Sequence, residues 1–380
     1  MANTLTGLIP VIYKGLDIVA RERIGIMPRI TTDSDLSMAA IGQSVRSFVT
    51  ASNAAVDITP GAYAPASGSQ AISYNEIQIT KSKSVPVQWT GEEVRAVGGQ
   101  YEQMLSNQFA QAFRTLSNLV EVDLASAMTA GASRAYGTAG TTPFGTANDL
   151  SDSASLLQIL DDNGTPSMQD LGYVGSNATM ANFRSKNPVL FKVNEAGTAD
   201  LLRQGIIGQL QGMNIGQSAA LSTLHTKGTG ATWAANGVQA VGATLLLVTG
   251  GTGTIVAGDV ITFAGDTNKY VVAADLAAGV LAINAPGLRQ ATGAASALTV
   301  GNSYTPNLAF HKASTILLAR QPIMPPGGDS ALDVTTVTDP VSGLPFQVAL
   351  YRQYRQLHIE VGMAWGVKVV KPDYIALNLG

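Results

Sequence analysis

The chain has 380 residues, of which 46% are hydrophobic and 13% are charged; its formal net charge is −3 and it contains no cysteine. This balance excludes intrinsic disorder, and the length predicts two or three domains. The lack of cysteine excludes disulfides, thiolate catalysis and cysteine-ligated zinc in this chain. The near-neutral charge disfavours a domain that grips nucleic acid through a continuous basic surface.

The first residues predict a short amphipathic helix. Leu8, Ile12 and Leu16 recur at helical spacing within residues 7–23. This apolar stripe fits either a surface helix packed on its own domain or an arm that docks on a neighbouring subunit. The start lacks the basic and apolar regions of a secretory signal, and no window approaches the roughly 18 apolar residues of a membrane span. We therefore expect a soluble protein, made in the cytoplasm, without a membrane partner.

Residues 51–90 predict an extended hairpin. Alternating apolar and polar side chains, as in residues 71–80, adjoin a turn-rich tip at 61–70. A hairpin with so little core of its own is marginal alone, so we expect it to pack against a partner chain. Lys81 and Lys83 are expected between the strands, where they either protect a sheet edge or pair with acids on a neighbouring subunit.

Residues 101–130 predict one long helix of roughly 45 Å. An apolar side chain recurs every three or four residues along it: Tyr101, Leu105, Phe109, Phe113, Leu116, Val120, Leu124 and Ala127. The opposite face is polar and mostly uncharged, which fits either a solvated surface or a wet interface.

The remainder predicts a mixed body interrupted by a β insert. Residues 132–224 have the pattern of an α/β domain. The glycine-rich insert at 226–304 predicts short strands at 259–264, 269–273 and 279–284. The tail at 306–380 predicts strands at 334–337, 346–354, 356–361 and 367–370.

The sequence shows no catalytic or metal-binding constellation. The glycine-rich segment 250–258 precedes a strand and lacks the Lys-Ser/Thr of a phosphate loop, so we interpret it as turns. Adjacent Glu92 and Glu93 are typical of the first turn of a helix, and we keep both as candidates for contacts between subunits. The three histidines lie far apart in the sequence: His225, His311 and His358. We predict no enzyme, no cofactor and no metal site.

Three stretches carry a resemblance to a known family. They are residues 257–265 (AGDVITFAG), residues 307–314 (NLAFHKAS) with 320–325 (RQPIMP), and residues 364–376 (AWGVKVVKPDYIA). In this order they resemble the major capsid proteins of tailed bacteriophages, in the coat-protein branch typified by the short-tailed Salmonella phage. Residues 133–140 and 264–274 are similar to a related group of prophage coat proteins.

The resemblance implies an α+β fold of the tailed-phage major capsid type. That fold has an N-terminal arm, an extended β-hairpin loop, a long spine helix and an axial domain, here with an inserted small β-barrel domain. The expected limits are 1–50 for the arm, 51–90 for the hairpin loop, 91–135 for the spine helix and peripheral domain, 136–225 for the axial domain, 226–305 for the insertion domain and 306–380 for strands returning to the axial and peripheral domains.

The resemblance also implies a function and partners. The chain would assemble as pentamers and hexamers into an icosahedral shell around packaged double-stranded DNA, which it would hold non-specifically. Implied partners are further copies of the chain, a scaffolding protein, a portal and a decoration protein, in a virion capsid assembled in the bacterial host cytoplasm. Two alternatives stay open: a nanocompartment shell protein of the same fold, and a β-rich surface or adhesion protein.

The insert of this chain departs from the family in its charges. In the family, the first long loop of the insert can reach a neighbouring capsomer through charged contacts. Here that loop, residues 228–237, contains no charged residue. The nearest candidates for such a contact are Lys227, Asp266 and Lys269.

Overall fold

The computed structural model describes residues 23–50, 60, 72–166, 170–187, 208–338 and 343–380. The expected arm helix with Leu8, Ile12 and Leu16, and the expected hairpin tip at 61–70, lie outside these described residues. Both stay predictions.

Four α-helices and twenty β-strands form the described part of the chain. The helices are α1 (Gly91–Val97), α2 (Tyr101–Ala130), α3 (Ser151–Asp162) and α4 (Asn177–Lys186). The strands are β1 (Thr31–Ala39), β2 (Ser44–Thr50), β3 (Ile72–Gln78), β4 (Lys81–Thr90), β5 (Arg134–Gly137), β6 (Leu171–Gly175), β7 (Gln209–Leu210), β8 (Met213–Gln217), β9 (Trp233–Ala235), β10 (Leu245–Thr249), β11 (Val260–Phe263), β12 (Lys269–Ala277), β13 (Val280–Ile283), β14 (Ala297–Val300), β15 (Pro306–His311), β16 (Thr315–Pro322), β17 (Asp333–Thr338), β18 (Pro345–Gln353), β19 (Gln356–Val369) and β20 (Ile375–Leu379).

The long helix is confirmed with the predicted limits. Its second half is the better buried: Leu116, Val120 and Leu124 are fully inaccessible and join the main core. Ser117, predicted on the polar face, is buried as well. The polar face is therefore solvated only in part.

A six-stranded sheet is organised around β19. Its order is β1-β16-β19-β18-β17, and β4 also pairs with β19. The prediction of two strands, at 356–361 and 367–370, was wrong, because β19 is continuous over 14 residues. Gly362 and Gly366 lie between the two predicted strands, and a glycine in a strand allows another backbone to approach closely. At Gly366 an added Cβ would lie 1.9 Å from the carbonyl oxygen of Gln78.

The hairpin is built from other strands than the sequence indicated. β2 pairs antiparallel with β3 in a separate two-stranded sheet. β4 does not pair with β3; it runs along ten residues of β19. Lys81 and Lys83 therefore lie within a strand and not between strands, because the long edge of β19 extends β4 to Lys81.

The second sheet has an open half and a closed half. In the open half, β5, β20, β15, β6, β8 and β7 lie side by side in that order. Helices α3 and α4 contribute Leu156, Leu160 and Phe183 to a core that also contains Tyr173 of β6. This part confirms the predicted α/β pattern, with helix α4 directly following strand β6.

The closed half lies within the predicted insert. The six strands of this half lie side by side in the order β11-β14-β9-β10-β13-β12. Strand β12 also pairs with β11, so the strands close into a ring. The ring encloses its own apolar core, which includes Leu246, Ile261, Phe263 and Leu281. One edge joins the body, where Lys269 and Tyr270 of β12 pair with β5.

Candidate interaction surfaces

The β2–β3 hairpin presents an uncovered aromatic pair. Phe48 and Tyr74 lie directly opposite each other in the register and are 77% and 50% exposed. Beside them, Arg46 lies 3.0 Å from the carboxylate of Glu76, and its guanidinium carbon lies 4.5 Å from the centre of the Tyr74 ring. The ion pair and the cation–π contact orient the side chains of this face, which stays open to solvent.

The base of this hairpin is firmly attached to the six-stranded sheet. Ile77 and Ile79 are buried together with Ala364 of β19. Lys368 donates a hydrogen bond to the carbonyl oxygen of Glu76 at 2.9 Å. The hairpin therefore projects from a fixed base, and its exposed aromatic pair lies beyond the part that has a core.

Of the two candidate lysines on β4, Lys81 has a partner within the subunit. Its Nζ lies 2.6 Å from Oδ1 of Asp123 on α2, and the other oxygen of Asp123 accepts the indole N–H of Trp365 at 2.8 Å. Asp123 thus links α2 to β4 and β19. Lys83 is exposed. Contacts of either lysine with a second subunit stay predictions.

The candidate glutamates begin α1, as their position indicated. The Thr90 hydroxyl accepts the backbone N–H of Glu93, and the Glu93 carboxylate accepts the backbone N–H of Thr90 at 2.8 Å, which is a reciprocal capping box. Glu93 therefore has a structural role in the helix cap. Glu92 is exposed at the same helix start.

The candidate charges of the insert divide between its surface and its attachment. Lys227 is exposed. Asp266 accepts the hydroxyl proton of Tyr270 at 2.6 Å, and Lys269 donates to the carbonyl oxygen of Gly137 in the body. Partial burial lowers the pKa of Lys269. Asp266 and Lys269 thus serve contacts within the subunit, and a contact with a neighbouring capsomer stays a prediction for all three.

The two ends of the insert meet at one point. His225 and Tyr304 pair through their backbones, with the His225 N–H donating to the Tyr304 carbonyl at 2.8 Å. The buried carboxylate of Asp259 lies 3.1 Å from Nε2 of His225, and it also accepts the backbone N–H of Val256 at 2.9 Å. Burial, and then the charge of Asp259, raises the pKa of Tyr304. The two ends of the insert are therefore paired with each other and linked to Asp259, the residue that precedes β11.

A buried carboxylate holds the beginning of the described chain. Glu121 of α2 is 2% exposed. Its Oε1 accepts the N–H groups of Gly25 and Ile26, both at 2.7 Å, and its Oε2 accepts that of Met27 at 3.1 Å. The hydroxyl of Ser218 donates a fourth hydrogen bond at 2.8 Å. Hydrogen bonding of this kind stabilises a buried carboxylate, so Glu121 fixes the segment that follows residues 1–22 to the spine helix.

The sequence did not predict the exposed aromatic pair of the β2–β3 hairpin or the buried carboxylate of Glu121. Phe48 and Tyr74 lie in the expected arm and hairpin loop, and the alternation of apolar residues gave no sign that both face solvent. Glu121 interrupts an apolar helical stretch and was not among the residues predicted to have a role. Its place in the helical stretch that contains Leu116, Val120 and Leu124 was the one signal in the sequence that Glu121 is buried.

The part of the chain that the structure describes contains neither a metal-ion cluster nor a membrane-spanning helix. Within the described ranges, no group of three or more His, Asp or Glu side chains is arranged to hold a metal ion. Among the helices that the structure describes, none is long and apolar enough to cross a membrane.

Comparison with known proteins identifies the fold. No family model and no curated protein matches the sequence. The chain is similar to the capsid structure of the cyanophage P-SCSP1u, with a TM-score of 0.51 and 12% identity over 100% of this chain and 92% of that chain. It also matches a structure of Mycobacterium phage Che8 (TM-score 0.46, 14% identity, 89% and 84% covered) and the capsid of a native GTA particle (TM-score 0.49, 9% identity, 95% and 91% covered).

The cyanophage similarity, which extends over the whole chain, shows that this protein has a phage capsid fold. The mixed sheets and four described helices agree with the α+β class expected from the resemblance. The narrower assignment to the short-tailed Salmonella phage type, and the status of the closed ring as an insertion domain, stay predictions.

Proposed function

We propose that this chain is the major capsid protein of a tailed phage or a phage-derived particle. It assembles as pentamers and hexamers into a closed icosahedral shell that surrounds packaged double-stranded DNA. The observation that carries the proposal is the β2–β3 hairpin, which projects Phe48 and Tyr74 into solvent on a fold of the capsid type. A two-stranded hairpin with an open aromatic face gains stability when a neighbouring subunit covers that face.

The composition supports a shell whose contacts are numerous and individually modest. A net charge of −3 opposes neither self-association nor the non-specific enclosure of DNA. On a closed lattice every subunit repeats the same contacts, so weak interfaces add up to a stable particle. We include a scaffolding protein, a portal and a decoration protein among the partners, and we place assembly in the cytoplasm of the bacterial host.

The closed ring of strands has a bracing role in this proposal. Its core is separate from the main core, and it is attached through β12 and through the paired ends at His225 and Tyr304. A unit with its own core adds rigidity to the subunit without interrupting the two sheets of the body.

The hairpin surface is tested by paired substitutions. Phe48→Ser with Tyr74→Ser removes the aromatic face, whereas Phe48→Leu with Tyr74→Phe keeps it apolar. We expect the serine variant to remain folded by circular dichroism and to lose closed particles in electron microscopy by about tenfold or more, because each lattice contact is weakened at once. The conservative variant should assemble. Normal particles from the serine variant would contradict the role of the hairpin. Nuclease-protected DNA in the particles distinguishes a capsid from a protein-filled nanocompartment.

A further inference from the structure

An open cavity of about 1,090 Å³ lies between the start of α1 and the turn that joins β18 to β19. Three arginines line it: Arg95 from α1, Arg352 from the end of β18 and Arg355 from the turn between β18 and β19. All three are exposed, and within the described residues none of their guanidinium groups has an ion pair or a side-chain hydrogen bond. Three cations without a partner around one cavity create a local field that attracts carboxylates.

The turn itself is unusual for a two-residue hairpin connection. Gln353 pairs with Gln356, so Tyr354 and Arg355 form the turn, and Arg355 has a φ of +57°. Glycine and asparagine occupy such positions at lower conformational cost, so the arginine adds conformational cost to this turn. Tyr354 beside it is 90% exposed. The buried Trp89 gives the cavity an apolar side next to these cations.

A complementary segment lies on the same tip of the sheet, at residues 329–333 (DSALD). Asp329 and Asp333 are exposed, and Leu332 between them is 55% exposed. The Tyr351 hydroxyl donates to Asp329 at 2.7 Å, and this hydrogen bond lowers the pKa of Asp329. The segment therefore presents two carboxylates around one apolar side chain, which is the chemistry that the cavity accommodates.

Within one subunit, the acids of residues 329–333 do not neutralise the arginines of the cavity. Asp333 lies opposite Leu350 in the register, two residues from Arg352, yet the described chain has no ion pair between these acids and the cavity arginines. Among the described residues, Asp333 and the three arginines have no partner of opposite charge, which fits a head-to-tail contact between copies. A phosphate backbone fits less well, because the apolar lining and the neighbouring carboxylates, among them Glu92, oppose it.

We propose that residues 329–333 of one copy dock in the arginine cavity of a second copy, with Asp329 and Asp333 against the guanidinium groups and Leu332 toward the apolar side. The contact is heterologous, so it generates a ring when the rotation closes. The partner of this surface, a second copy of the chain, rests on the proposed function as a shell protein.

Cysteine cross-linking tests the contact directly, because the natural chain contains no cysteine. Full-length Ser330→Cys protein is mixed with full-length Gln353→Cys protein and oxidised, and Ser330→Cys with Lys186→Cys is the control. We expect a disulfide-linked heterodimer in the first mixture at about tenfold the yield of the control, since docking brings the two sulfurs within reach. Equal yields would overturn the proposal. Cross-links without any closed particle would support this contact and contradict the shell function. Closed particles without cross-links would support the shell function and contradict this contact.

Charge reversal gives a second test that does not disturb the strained turn. Arg95→Glu with Arg352→Glu, and separately Asp329→Lys with Asp333→Lys, should each lower the yield of assembled particles by about tenfold, because like charges then face each other. Combining all four substitutions in one chain should restore assembly to within about threefold of the natural protein. Two unaffected double variants, or a combined variant that still fails while folded, would overturn the proposal. Asp333→Lys alone serves if the turn at Asp329 is needed for folding.

Discussion

Three charged side chains that the sequence suggested for contacts between subunits make contacts inside the subunit. Lys81 pairs with Asp123, Glu93 caps α1 and Lys269 binds the backbone of the body. The sequence predicted that Glu93 lies in the first turn of a helix, and the structure adds the capping box with Thr90. The sequence did not predict the partner of Lys81, since Asp123 lies 42 residues away and only the folded sheet brings the two together.

Glu121 offers the sharpest prediction at this scale. Glu121→Ala should lower the free energy of unfolding by about 3 kcal/mol, because three backbone N–H groups and one hydroxyl lose a charged acceptor in a buried place. Glu102→Ala, on the exposed side of the same helix, is the matched control. Urea unfolding of both variants measures the difference. A loss below about 0.5 kcal/mol for Glu121→Ala would mean that solvent replaces the carboxylate.

At the scale of elements, strong local patterns predicted well and tertiary pairings did not. The 30-residue helix α2 has the predicted limits, because its apolar period continues without interruption. The prediction divided β19 into two strands on either side of its glycines. In the structure the strand is continuous, and the close approach of Gln78 requires a glycine at position 366. The hairpin partners were also misassigned, since β2, β3 and β4 all alternate and the pattern does not state which of them pair.

The close approach at β19 has a measurable consequence. Gly366→Ala should destabilise the protein by about 1–3 kcal/mol and loosen the base of the hairpin, because the new Cβ would overlap the Gln78 carbonyl. Gly362→Ala on the same strand is the control, as the atom nearest to its Cβ would be Cγ of Pro322 at 3.2 Å. Thermal unfolding, with limited proteolysis of the hairpin, compares the two. Equal behaviour of both variants would show that β3 shifts freely.

For the whole molecule, the sequence predicted a β insert within an α+β body, and the structure places a closed six-stranded ring in that stretch. The composition change was informative because turn glycines alternate with short apolar strands. The attachment of the ring through β12 and β5 was not predictable, since only two residue pairs form it and neither strand signals it. The arginine cavity was missed for the same reason: its side chains come from residues 95 and 352–355.

The independence of the insert can be measured. Residues 226–304 expressed alone should unfold cooperatively as a β protein, because the ring keeps the core that it encloses, although it loses the pairing of β12 with β5, the pairing of Tyr304 with His225 and the hydrogen bond from Lys269 to the body. Circular dichroism during thermal unfolding provides the measurement. The matched experiment joins His225 to Tyr304 through Asn-Gly, a turn that suits their antiparallel pairing, and the remaining body should stay folded. A disordered spectrum for the isolated segment would contradict its autonomy.

The central claim is that this chain forms a shell, and electron microscopy of the full-length protein tests it most directly. The protein is expressed alone and together with a scaffolding protein from its own genome, and the particles are imaged in both cases. The account predicts closed shells, or curved sheets of five- and six-membered rings, at least when the scaffolding protein is present. Small particles of uniform size in both samples, without rings or curved sheets, would contradict it.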